Sequence, residues 1–264
     1  MTTENIGNKL NRILNETKYT LFDHAELAQL TYGAFDIAAQ SMQASEQEEI
    51  EVTFPVGYLP NKTAIESTRK YSKDELLKRY EFLASQQLAV NFLVQMVTVM
   101  EAMLGDVIRV VVMRHPQKLG AKRSVSMQTV LDASSIEEIH FHAADILLNE
   151  LLYKSSVDFA ESAKGIFTVN LLECPAFHKY IEIKASRDIY IHNRGKANDI
   201  YVRKAGTHAR VQAGDTLPVD LQYFLESYES CLQTVEWLER ELHQHWHSSE
   251  FEDKHTNKKL ALPK

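Results

Sequence analysis

The run from Leu88 to Met113 is apolar almost throughout, yet it carries Asn91, Gln95, Glu101, Asp106 and Arg109. Ionised side chains at mid-bilayer are expensive, so this run is not read as a membrane span. Its polar or small residues fall at 91, 95, 98, 102, 105 and 109, a spacing of four and three that draws one stripe along a helix. A central core helix is expected, apolar on most sides, with one stripe facing something polar. Only 9 glycines and 6 prolines are spread over 264 residues. So few breakers favour long helices over a many-stranded sheet, and an all-α fold follows as the expectation.

Hydrophobic content of 44% and charged content of 25% belong to an ordinary globular chain, long enough for one or two domains with a proper core. The two cysteines, Cys174 and Cys231, suggest neither a disulfide framework nor a Cys-rich zinc site, which fits a reducing, cytoplasmic setting. The start, Met1-Thr2-Thr3-Glu4-Asn5, lacks a charged region followed by an apolar run, so no signal peptide is expected. Neither GxxxxGK[ST] nor GxGxxG occurs. His140-x-His142 and His243-x-His245-x-His247 look like metal clusters. Side chains two apart on a helix point roughly 200° away from each other, so no metal and no cofactor is expected.

Along the chain, residues 5 to 45 read as one or two helices, with Leu10, Ile13, Leu14, Leu21, Leu27 and Leu30 at helical intervals. An acidic stretch follows, then a short extended piece at 51 to 58, broken by Pro55, Gly57 and Pro60. Residues 1–70 are taken as a helical N-terminal extension, 71–247 as the main domain and 248–264 as a flexible polar tail. Ser72-Lys73-Asp74-Glu75 has the form of a capping box and opens a helix that runs toward Met113, where His115-Pro116 ends it. Ser126 to Asp132 reads as a short helix and Ser134-Ser135-Ile136 as another helix start. The helical stretch after it extends to about Ala163, with a break near Tyr153–Ser156. Pro175 suits the first turn of the next helix and Gly195 its left-handed end. Ile200-Tyr201-Val202 and Ala209-Arg210-Val211 suggest a loop or small hairpin, and Val219 to Trp246 a last amphipathic helix.

Chemistry concentrates at Arg187-Asp188-Ile189-Tyr190-Ile191-His192-Asn193. A guanidinium forks onto phosphate, and an imidazole moves protons near neutral pH. Residues five apart on a helix differ by about 140° in azimuth and roughly 7.5 Å in rise, so Arg187 and His192 can line one groove only if the helix ends near His192. Asp188, four residues before His192, shares its face and can accept from the ring and orient it. Asn193 adds a donor and an acceptor. Such a pair is also what a simple C-terminal cap looks like. From Lys184 to Arg210 there are seven cations (Lys184, Arg187, Arg194, Lys196, Arg203, Lys204, Arg210) and two anions, Asp188 and Asp199. That +5 island lies in a chain of net charge −7, leaving −12 elsewhere. A basic island on an acidic body focuses a polyanion onto one site; the alternative is a solvated loop.

The pattern Arg187-x4-His192-Asn193-x-Gly195 resembles the signature of HEPN-domain proteins. The stretch His192 to Asn198 and the run Gly214-Asp215-Thr216-Leu217-Pro218-Val219 are similar to that family's segments after the motif. The resemblance covers about residues 75 to 246. It implies a helical bundle with the motif late in the chain and a last helix after it. It also implies a metal-independent endoribonuclease, in a toxin–antitoxin or antiviral defence setting, in which the ribose 2′-OH attacks the adjacent phosphorus. Arg187 and His192 match the catalytic pair, and Asn193 a frequent neighbour. Asp188 stands where relatives often carry Asn. Glu101 and Asp106 border the polar stripe and are candidates to face the site; as ordinary surface charges they need no such role. Lys184, Arg194, Lys196, Arg203, Lys204 and Arg210 are the candidate RNA contacts. One motif supplies one histidine, so a homodimer that joins two motifs is expected, with an antitoxin or defence partner as a possible restraint and no membrane association. The alternative is a non-catalytic dimeric module that binds RNA or nucleotide or scaffolds a partner protein.

Overall fold

The computed structural model describes residues 5–120, 124–249 and 251. Helix α1 (Ile6–Ala44) leads into a hairpin of β1 (Glu49–Tyr58) and β2 (Ala64–Ser72), followed by α2 (Lys73–Phe82) and α3 (Ala89–Arg114). Then come α4 (Met127–Asp132), α5 (Ile136–Leu152), α6 (Ser156–Phe167), α7 (Pro175–Asn193), α8 (Asp199–Ala205) and α9 (Leu221–His245). The fold is mostly helical, as expected.

Helix α3 is the axis of the core. Phe92, Leu93, Met96, Val97, Met100, Met103, Val107, Ile108 and Val111 are buried along it, while Asn91, Gln95, Thr98 and Ala102 are exposed. The stripe departs from expectation at Gly105. That residue is buried, and a Cβ there would meet Leu148 of α5 at 3.9 Å. Its small size serves helix packing, and the stripe shifts to exposed Asp106. A six-residue π segment, Leu83–Leu88, joins α2 to α3, so the helical run expected from the capping box is present with one irregular turn. The box itself is complete: Glu75 N–H donates to Ser72 Oγ, and Ser72 N–H donates back to Glu75 Oε2 at 2.9 Å. Ser126 and Ser135 cap α4 and α5 as simple N-caps, their hydroxyls accepting from Thr129 N–H and Glu138 N–H.

Three expectations change here. Residues 1–70 are not a helical extension set apart from the rest. Leu10, Leu14, Leu21 and Ala28 of α1 share one apolar core with α3, α5, α7 and α9, and residues 49–72 form the hairpin. The segment after the motif, expected as a loop or small hairpin, is in part a helix. Ile200-Tyr201-Val202 lies in α8, because Asn198 Oδ1 accepts from Tyr201 N–H at 2.9 Å and caps a helix there. One isolated bridge, Lys196 to Thr216, is all the β-pairing among the described residues of that region. Finally, the start of the tail is docked. Ser248 is buried and its hydroxyl donates to Asn8 Oδ1 at 2.9 Å, and Phe251 stacks on His243. Gly7 permits this approach, since a Cβ there would lie 2.1 Å from the His247 carbonyl oxygen. The rest of the expected tail, 250 and 252–264, lies outside the described residues, as do positions 121–123 of the basic loop after His115.

Cys174 and Cys231 are free and buried, and burial pushes the Cys231 thiol well up. Among the described residues no helix is long and apolar enough to cross a membrane.

Candidate functional site

Helix α7 builds the site. Pro175 opens it, and it ends because the chain turns left-handed at Arg194 (φ 53) and Gly195 (φ +79). Gly195 N–H closes the end by donating to the Ile189 carbonyl at 3.2 Å. The ring of Tyr190 lies 3.0 Å from where a Cβ of Gly195 would sit, so the position is suited to glycine on space as well as on backbone angle. Tyr190 Oη donates to the Leu217 carbonyl at 2.5 Å, tying the helix end to the strand-like segment before α9. These contacts leave His192 exposed in the last helical turn. The condition for Arg187 and His192 to share one groove is met: both line a cavity of about 670 Å³.

The cavity walls come from α3, α5, α7 and α8. A chain of alternating charges runs across its floor. Lys184 Nζ is 2.8 Å from Glu101 Oε1, and Arg187 Nη2 is 2.5 Å from Glu101 Oε2. Arg187 Nε lies 3.5 Å from Asp188 Oδ1, an ion-pair distance without hydrogen-bond geometry. Lys204 Nζ of α8 is 3.3 Å from Asp188 Oδ2. Three cations thus face two carboxylates. The arginine is oriented by Glu101, whose candidacy on the polar stripe is met by its position. Tyr153, 92% exposed, stands at the end of α5 on the cavity wall with Asn149 and Lys154.

Several expected members sit elsewhere or act differently. Asp188 is engaged by Arg187 and Lys204, and no hydrogen bond from His192 to it is found among the described residues. Its carboxylate is held by those two cations. Asn193 lines the cavity, but its Nδ2 donates to the Lys196 carbonyl and steadies the turn. Asp106 is exposed and is not among the cavity residues, because it lies more than a turn beyond Glu101 on α3. Arg203 lines a neighbouring cavity of about 340 Å³ that shares Lys184, Asp188 and Lys204 with the first. Arg194 and Lys196 are exposed at the helix end, outside both cavities.

Arg210 does not belong to the basic island. It folds inward, with Nε 3.1 Å from Glu182 Oε1, Nη1 donating to the Pro218 carbonyl at 2.6 Å, and its guanidinium carbon 3.5 Å from the centre of the Tyr223 ring. Glu182 is the centre of a buried network that the sequence reading passed over. It also accepts from Ser186 Oγ at 2.5 Å, Tyr201 Oη at 2.8 Å and Tyr223 Oη at 2.7 Å. One signal was present: an acid between Ile181 and Ile183, in a helix stretch otherwise apolar.

No family model, curated protein or solved structure matches the chain. The chemistry of the site must therefore be read from its own residues.

The Glu182 network makes the fold sensitive to alkali. Burial, first, and then the Glu182 carboxylate push the Tyr201 hydroxyl up to about 12, and Tyr223 is raised further by the same two causes. An unfolded tyrosine ionises near about 10. A folded-state value above the unfolded one gives stability that is whole below about pH 10 and is lost as pH rises through the folded value. Urea midpoints measured from pH 8 upward should therefore be flat at first and fall between about pH 10 and 12. Tyr201→Phe should show a smaller fall; an identical slope in the variant would contradict the assignment.

Proposed function

We propose that the chain is a HEPN-type, metal-independent endoribonuclease, acting as a toxin or antiphage effector in the cytoplasm. The observation that carries this is the single cavity lined by Arg187 and His192 together with Lys184 and Lys204. A polyanion entering there meets three cations, and the exposed imidazole stands beside them. His192 takes or gives a proton as the ribose 2′-OH attacks phosphorus and the 5′-oxygen leaves. Arg187, oriented by Glu101, stabilises charge on the phosphoryl oxygens as the transition state forms. Tyr153 offers a face on which an unpaired base can stack, a feature of single-strand recognition. One cavity holds one such histidine, so a second copy facing its mouth supplies the second proton carrier. An antitoxin or a defence-system partner is the natural restraint on such an activity.

Incubating the purified protein with total RNA in EDTA, beside the Arg187→Ala/His192→Ala variant, tests this reading. Cleavage by the wild type alone supports it; absence of cleavage, or equal cleavage by both, contradicts it.

A second reading rests on the hold that Glu101 and Asp188 have on Arg187. Charges already paired are also suited to a site that binds RNA or nucleotide, or scaffolds a partner, without cutting. That module would bind RNA with unchanged length.

Cutting RNA and holding it uncut both need the basic surface. Replacing Arg194, Lys196, Arg203 and Lys204 together with alanine should weaken RNA binding. It should flatten the dependence of log affinity on log salt by roughly 2 to 3, since each phosphate contact with a single strand contributes about 0.7. Arg194, Lys196 and Arg203 are exposed, so helicity should be kept. Filter binding at several salt concentrations reads the slope, and an unchanged slope would leave the island a solvated loop.

A further inference from the structure

The β1–β2 hairpin stands apart from the core. None of its strand residues is buried, and seven of the nine residues of β2 are exposed. Its base is fastened by Lys73, whose backbone N–H donates to the Glu48 carbonyl at 3.0 Å and whose Nζ donates to the Gln43 and Ser45 carbonyls. Beyond that base the sheet is two strands wide, and its outer edges have no partner among the described residues. A two-stranded hairpin is marginal in water, and three or more strands with an apolar face are needed for stability. Its apolar side chains are mostly on one strand: Ile50, Val52 and Phe54 of β1 lie opposite Tyr71, Arg69 and Ser67 of β2, with the Arg69 guanidinium over the Phe54 ring.

The two edges are not equivalent. Strand β1 contains Pro55, which has no N–H to offer, and a register shift between Pro55 and Gly57. Strand β2, Ala64-Ile65-Glu66-Ser67-Thr68-Arg69-Lys70-Tyr71-Ser72, has no proline, glycine or bulge. Its sequence is complementary to itself about Thr68. An antiparallel copy centred there sets Thr68 against Thr68, Ser67 against Arg69, Glu66 against Lys70 and Ile65 against Tyr71. Opposite charges meet on the polar face twice, and apolar side chains meet on the other face twice. Lys70 already lies 2.9 Å from Glu51 Oε1 of its own β1. In the pair it would stand between that carboxylate and the partner's Glu66.

We infer that β2 pairs edge to edge with β2 of a second copy of this chain, in an isologous two-fold contact centred on Thr68. The result is a four-stranded sheet, β1-β2-β2-β1, in which Ile50, Val52 and Phe54 of each β1 and the two Ile65–Tyr71 pairs flank the Ser67–Arg69 pairs at the centre of one face, and the exposed β2 edge that invites indiscriminate pairing is consumed. Self-complementary charge is what selects this partner, since like charges directly opposite are destabilising and opposite ones favourable. The contact shares no residue with the Arg187–His192 cavity, and it stands whether or not the chain cuts RNA.

A cysteine at the two-fold axis reads the contact. Cβ atoms of residues directly opposite are about 5 Å apart. Residues at 66 in the two copies would instead be separated by roughly four strand positions, about 13 Å. The native cysteines are buried and do not compete. Under mild oxidation at micromolar protein, Thr68→Cys should run at twice the chain mass on a non-reducing gel. It should do so about 100-fold faster than Glu66→Cys, because the paired thiols meet at millimolar effective concentration. Adding Glu66→Lys to Thr68→Cys places lysines opposite one another on both sides of the axis and should slow the link markedly. Thr68→Cys oxidising no faster than Glu66→Cys overturns the pairing, even if light scattering finds a dimer, which would then be built on another face. A fast link left unchanged by Glu66→Lys overturns the register.

Discussion

His192→Ala should lower the rate of RNA cleavage in EDTA by about 100-fold or more, the scale on which an acid–base group acts. The side chain is exposed at the end of α7, so its loss leaves the fold alone. Binding, measured on the same variant, should change little, because the proposed site holds the phosphate with the cations of the cavity. This combination separates a proton carrier from a residue that merely shapes the wall: only the former loses rate at saturating RNA while keeping affinity. Arg187→Ala should lower both, since in the proposed reaction its guanidinium meets the phosphate, and it also pairs with Glu101. Undiminished turnover in His192→Ala would remove this residue from the chemistry.

Glu182→Ala should destabilise the protein by about 1–3 kcal/mol, the cost of leaving buried hydrogen-bonding groups without their acceptor. Glu182 is 4% exposed and is the common acceptor for Arg210, Ser186, Tyr201 and Tyr223. Removing it takes the shared acceptor from a part-buried guanidinium and two phenols between α7, α8 and α9. Because those helices also hold the wall that carries Lys204, cavity binding should weaken along with the fold. Urea denaturation of the variant gives the number. A loss of less than about 1 kcal/mol, as for a surface pair, would mean that the network is spectators around an apolar contact.

The long apolar helix, the capping box of α2, the serine caps of α4 and α5 and the end of α7 at Asn193 were legible because each rests on local rules. Apolar spacing reports a helix face, and Ser, Pro and Gly report its ends. What the face packs against is not local. The stripe Leu10, Leu14, Leu21 and Ala28 reads the same on an extension as in a core, and only the fold puts it against α3 and α9. The hairpin was half seen. Strand β1 alternates until Pro55, but β2 is mostly polar and becomes a strand because β1 pairs with it. Ile200-Tyr201-Val202 is β-branched at two of three positions, yet a cap at Asn198 and the Tyr201–Glu182 bond hold it helical. At the site, the residues singled out on α7 and Glu101 on α3 do converge on one cavity. Counting charges missed their pairing: Arg210 was tallied with the basic island although it is consumed by Glu182, and Asp188 was assigned to His192 although Lys204 and Arg187 hold it.

The chemical form of the new RNA ends tests the central claim most directly. If His192 and Arg187 assist attack by the neighbouring 2′-OH, fragments made in EDTA carry 2′,3′-cyclic phosphate and 5′-hydroxyl ends. End-specific ligation and mass spectrometry of a defined single-stranded RNA would read them. Cyclic phosphate ends formed by the wild type and absent with Arg187→Ala/His192→Ala are the predicted result. Ends bearing 3′-hydroxyl and 5′-phosphate, or cleavage that stops when EDTA is added, would contradict it.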